Sequence, residues 1–147
     1  MRVLLAVLVT VSAQVLPAKD LYMVRSELAF PEAMALLQEA IGEHGYRVSR
    51  VQRVDIGLTR SGYQTDKYRL VFFGRGTEVR ELSARHRSLI PYLPLKIAVF
   101  AEGDDTILLA SGFAHLRGLY PDAGLEKYFD RWEADLQTIL EYVRVSD

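Results

Sequence analysis

The sequence predicts an α+β fold: a two-layer sandwich whose mostly antiparallel sheet of about five strands carries helices on one face, with a long C-terminal helix. Three observations lead there. Short apolar runs alternate with helical patterns along the chain. Leu95 to Ala101 and Thr106 to Ala110 flank Glu102-Gly103-Asp104-Asp105, a connection short enough to make those two strands an antiparallel hairpin. Leu125, Phe129, Trp132, Leu136, Ile139 and Val143 recur at alternating spacings of four and three, with charged residues on the other faces. Burying those six side chains is worth on the order of 10 kcal/mol before entropy is subtracted, so this helix packs on a sheet or a partner.

The elements follow in order. Leu21 to Val24 is a short first strand. Pro31 opens a helix, where its missing N–H costs nothing, and Glu32 complements the helix dipole. Ala33, Leu36, Leu37, Ala40 and Ile41 form its apolar stripe, and Gly45 ends it as a left-handed cap. Tyr46 to Ile56 reads as a strand whose alternation slips, which predicts a bulge near Ser49-Arg50. Arg47, Arg50 and Arg53 give that strand a basic edge, read first as a solvated face that discourages edge pairing, with an anion site as the alternative. Lys67 to Phe73 is the next strand. Gly74-Arg75-Gly76 turns the chain, and Thr77 is placed to cap a second helix with Val79, Leu82, Leu89 and Ile90 as its apolar positions. Pro91 to Pro94 breaks that helix before the hairpin. Residues 112–124 hold three glycines and a proline and read as a loop with a helical turn.

Composition narrows the function classes. The chain has 147 residues, the length of one domain, and at this size a compact fold needs no staple. It has no cysteine, which excludes disulfides, thiolate metal sites and cysteine nucleophiles. A formal charge of −1 gives no electrostatic reason to expect nucleic acid. Met1-Arg2 followed by the apolar run Val3 to Val11 reads as a secretory signal, because the run is too short to cross a bilayer; the alternative is a buried N-terminal strand, which Val and Leu also suit. Cleavage after Ala13 or after Ala18 is compatible with the small-residue rule; the second choice makes 1–18 the signal and 19–147 a single exported domain, periplasmic or secreted.

Several segments are similar to those of the family known as domain of unknown function 302. They are Leu36-Leu37-Gln38-Glu39-Ala40-Ile41 with Gly45-Tyr46-Arg47-Val48; Tyr68-Arg69-Leu70-Val71-Phe72-Phe73-Gly74; and Leu93-Pro94-Leu95-Lys96-Ile97-Ala98-Val99-Phe100. The resemblance spans about Tyr22 to Val143. It implies a two-layer α/β fold that commonly dimerises, and it brings no catalytic residues. The sequence departs from the family pattern at Arg75-Gly76-Thr77 and at Ser111 to Ala114.

Three residues stand out as ligand-binding candidates. His86 falls at helical spacing with Val79, Leu82 and Leu89, which places an imidazole in an apolar stripe. A buried imidazole needs partners for its nitrogens; these are a backbone carbonyl or water, or the iron of a non-covalent haem. His115, between Phe113 and Leu116, is a second candidate ligand or a surface residue. Arg75 sits at a strand-to-helix junction, where backbone N–H groups can hold an anion. No P-loop lysine accompanies it, which argues against a nucleotide. Phe72, Phe73, Tyr92, Phe100, Phe113 and Phe129 supply bulk for a core or for an apolar pocket. Asp104-Asp105 is explained by turn chemistry. With no nucleophile–base pair, the leading expectation is a non-enzymatic exported binding domain. Its ligand is expected to be small and apolar, such as haem, or its partner an envelope protein. The alternatives are an enzyme using His86 and His115, a redox catalyst or hydrolase, and a structural homodimerisation module.

Overall fold

The computed structural model describes residues 20–145; the segment read as a secretory signal lies outside them. The chain forms β1 (Leu21–Ser26), α1 (Phe30–Glu43), β2 (Arg47–Arg53), α2 (Val54–Arg60), β3 (Tyr68–Gly74), α3 (Gly76–Arg85), a 3₁₀ turn (Arg87–Tyr92), β4 (Leu95–Glu102), β5 (Asp105–Ser111), α4 (Ala114–Leu119) and α5 (Ala123–Val145). The strands make one sheet in the order β1-β5-β4-β3-β2, every pair antiparallel. The predicted α+β sandwich is the fold found.

Alternation along the strands decides what each face buries. Val71 and Phe73 of β3, Leu95, Ile97 and Val99 of β4, and Leu108 and Ala110 of β5 lie under the helices in one core. Helix α1 adds Ala33, Leu37, Ala40 and Ile41. All six residues read from the spacing of α5 are buried, and Leu140 joins them. Phe113, Phe129 and Trp132 pack together, with Phe113 and Phe129 stacked at 6.0 Å. Two buried hydroxyls are satisfied, as burial demands. Ser26 donates to the Val143 carbonyl at 2.8 Å and Thr106 to the Leu28 carbonyl at 2.9 Å.

The expected bulge is present as a register shift between Val48 and Arg50. Gly45 has φ +75° and ends α1, with the Tyr46 N–H donating to the Ile41 carbonyl at 3.1 Å. Gly103, φ +63°, turns the β4–β5 hairpin. Four expectations need correction. The strand expected to reach Ile56 stops at Arg53, and α2 follows it; Asp55 of this helix pairs with Arg69 of β3, a contact far apart in sequence that local pattern does not report. Thr77 does not cap α3: the N-cap is Arg75, which makes no side-chain cap. Helix α3 ends at Arg85 rather than running to Ile90. His86 is its terminal cap, with φ −127° and ψ 72°, so His86 and Leu89 do not share a helical stripe with Val79 and Leu82. Finally, the six aromatic residues line no single pocket. Phe73, Phe113 and Phe129 are core, Phe72 and Phe100 lie on the opposite side of the sheet, and Tyr92 is exposed.

Candidate functional site

Two connections meet at one end of the sheet: the α1–β2 turn through Gly45 to the start of β2, and the β3–α3 junction at Gly74 to Thr77. Together with one turn of α5 they enclose an open cleft of about 920 Å³. Its wall includes Tyr46, Arg47, Arg75, Glu78, Arg80, Lys127, Tyr128 and Arg131.

Two glycines shape this cleft. A Cβ on Gly74 would come within 2.9 Å of Val79 Cγ2, so glycine is what lets α3 turn back closely on β3. A Cβ on Gly45 would touch the guanidinium of Arg75 at 3.7 Å. Arg75 donates from Nη2 to the His44 carbonyl at 2.9 Å, and its guanidinium lies 4.8 Å from the centre of the Tyr46 ring. It thereby satisfies a carbonyl left over at the α1 terminus and adds a cation–π contact.

Beneath the cleft a polar network ties α3 to α5. Glu78, in the first turn of α3, accepts from Arg131 and from Trp132 Nε1, the latter at 2.9 Å. The buried Tyr46 hydroxyl donates to Asp135. Burial, with that bond to Asp135 second, pushes the Tyr46 hydroxyl up to about 12, against the opposing influence of Arg131. Such a hydroxyl stays protonated across the physiological range and serves as a structural donor.

The cleft is basic. Its lining holds five cationic side chains, Arg47, Arg75, Arg80, Lys127 and Arg131, against two acidic ones, Glu78 and Glu81. Only Arg131 pairs with a carboxylate; the other four make no salt bridge to any described residue. Arg80 folds back over the positive end of its own helix, with Nη2 3.4 Å from Thr77 Oγ1. Buried Nε atoms of Arg75 and Arg131 find no hydrogen-bond partner. The resulting concentration of positive charge contrasts with the −1 of the whole chain.

Of the three candidates read from the sequence, Arg75 alone lines this cleft. His115 is exposed and borders a separate pocket of about 200 Å³ with Tyr92, Phe113 and Leu136, its ring 6.2 Å from that of Tyr92. His86 borders neither space. Among the described residues no cluster of histidine and carboxylate side chains could hold a metal ion, and no helix is long and apolar enough to cross a membrane. The sequence marks Arg75 as a candidate anion ligand and Arg47 as part of a basic edge, but it does not single out Tyr46, Glu78, Arg80, Lys127 or Arg131. The Gly-Tyr that ends α1 and the Gly-Arg-Gly that opens α3 were visible; that they close on each other was not.

Comparison with known proteins agrees with this architecture and adds no activity. The crystal structure of an uncharacterized conserved DUF302 protein from Bacillus stearothermophilus is similar at TM-score 0.75 and 20% identity, covering 86% of this chain and all of that one. That likeness is one of fold. No functionally curated protein matches the chain. The family model described as domain of unknown function DUF302 matches residues 22–143, and the chain belongs to that family.

Proposed function

We propose that this chain is an exported, non-enzymatic binding domain that acts as a homo-oligomer and takes a small ligand bearing an anionic group in the basic cleft. One observation carries the reading: four cationic side chains from three separate elements line one concave space without a carboxylate partner. Clustered like charge is costly unless something of opposite sign neutralises it. A cleft of this size falls within the ~300–1,000 Å³ of small-molecule sites, whereas the pocket at His115 falls below it.

The non-enzymatic part rests on the chemistry of the lining. It offers no histidine and no cysteine, the Tyr46 hydroxyl is held protonated, and the Glu78 carboxylate is taken up by Arg131 and Trp132. Export to the periplasm or outside the cell is the reading that the apolar run Val3 to Val11 supports.

The test is thermal unfolding with inorganic phosphate, pyrophosphate or citrate, against chloride at matched ionic strength. A ligand at one hundred times its dissociation constant adds about 2.7 kcal/mol, a rise of roughly 5–10 °C for a domain of this size. Arg47→Ala combined with Arg80→Ala should abolish the rise. No anion-specific rise in the unaltered protein would contradict the reading.

A further inference from the structure

The face of the sheet opposite the helices is apolar and half open: Tyr68, Leu70, Phe72, Ala98, Phe100 and Leu109 are partly exposed there, while Ile107 is buried. Register places Met23, Leu109, Ala98, Leu70 and Gln52 side by side in a row across all five strands. A second row holds Arg25, Ile107, Phe100 and Tyr68, and a third includes Leu21, Ser111, Lys96, Phe72 and Arg50. Met23 is 64% exposed and Leu21 52%. An antiparallel sheet wetted on one side alternates apolar and polar residues along each strand. Here β3, reading Leu70-Val71-Phe72-Phe73, and β4, reading Ile97-Ala98-Val99-Phe100, are apolar on both sides. That is the pattern of strands buried on both faces.

We infer that this face is covered by the same face of a second copy, the two sheets stacked about a twofold axis that runs across the strands. This rests on the homo-oligomer reading above and gives it a surface. Area and charge select it. Five strands ~4.8 Å apart and some six residues long present a face of roughly 24 by 20 Å, so two copies bury close to the ~1,000 Å² that a specific interface needs. The hairpin end of the face is acidic, with Glu102, Asp104 and Asp105 offset by Arg25 alone; Asp66 and Lys67 beside them cancel. The opposite end is basic, with Lys96 and Arg50. A twofold along the strands would set like ends together. A twofold across the strands sets the acidic end of each copy on the basic end of the other, an isologous contact. It stacks the Met23 row on its own counterpart. It also places Lys96 over Phe100 of the second copy, one step from Glu102. Phe72 then stands over the hollow that Leu58, Tyr68, Ala98 and Phe100 form on the second copy.

Sedimentation of the exported protein tests this. The unaltered chain should be a dimer, and Leu109→Lys, in the middle row, should give a folded monomer by circular dichroism. Lys96→Glu and Glu102→Lys should each weaken the dimer about tenfold, and the double reversal should recover most of that loss. Both of those side chains are exposed, so this pair remains informative even where Leu109→Lys fails to fold. A monomer at about 100 µM overturns both the homo-oligomer reading and the face, and points to a different occupant such as another protein or a lipid surface. A dimer indifferent to Leu109→Lys and to both reversals keeps the homo-oligomer but overturns this face. A double reversal that stays weak overturns the twofold.

Discussion

The two faces of the one sheet are built from the same strands and have opposite fates. Val71, Ile97, Val99 and Leu108 have no exposure, while their chain neighbours Leu70, Ala98 and Leu109 stay partly open on the other side. Hydrophobicity does not separate them; cover does. Helices α1 and α5 bring their apolar stripes to the first face. On the second, Leu58 of α2 and the segment 65–67 reach one corner, and Ile107 is buried while its neighbours stay partly open. An apolar residue's contribution is therefore set by what packs on it rather than by its place in the strand.

The sharpest way to break that comparison is to cut equal bulk from each side. Phe129→Ala, under the helices, should cost about 3–5 kcal/mol in chemical denaturation, the transfer term plus a cavity. Phe72→Ala, on the open face, should cost the monomer no more than about 1 kcal/mol and act mainly on self-association. Equal losses in the two variants would mean that the second face is as well covered as the first.

The sheet end that forms the cleft gives a finer contrast. Gly74→Ala pushes a methyl against Val79, and should cost about 1–3 kcal/mol while loosening the α3 terminus. Calorimetry would then show weaker anion binding as well. Tyr46 supplies a pH signature. Its folded-state value is raised to about 12 from an ordinary value near 10, so the protonated form is the one the fold favours. The stability it contributes is complete below pH ~10 and is lost as pH rises toward 12. That loss is on the order of 2 kcal/mol, and Tyr46→Phe should remove it from the alkaline unfolding profile. The smallest effect belongs to Arg80→Ala. Its side chain is exposed and hydrogen-bonds to Thr77, so stability should stay within ~0.5 kcal/mol in buffer without multivalent anions.

Much of the fold was legible because it is written in local periods. The α5 stripe, the Gly45 cap, the bulge at Val48–Arg50 and the β4–β5 hairpin each follow from spacing or turn chemistry within a short window. The failures are where distant contacts override local pattern. Asp55 pairing with Arg69 accompanies a helix at Val54–Arg60 that apolar spacing does not announce. His86 kept the right spacing for a stripe, but its helix had already ended. The site was half legible: Arg75 was singled out for its glycine-flanked junction. Its companions Arg47, Arg80, Lys127 and Arg131 come from β2, α3 and α5, and only the antiparallel pairing of β2 with β3 and the packing of α5 bring them together.

Isothermal titration of the protein with inorganic pyrophosphate is the most direct measurement of the central claim, run on the unaltered chain, on the Arg47→Ala/Arg80→Ala pair, and on Lys96→Glu. Binding by the unaltered chain and by Lys96→Glu, with loss in the arginine pair, is the expected result and would place the ligand in the cleft. Absence of binding in all three, or equal binding in all three, would contradict it.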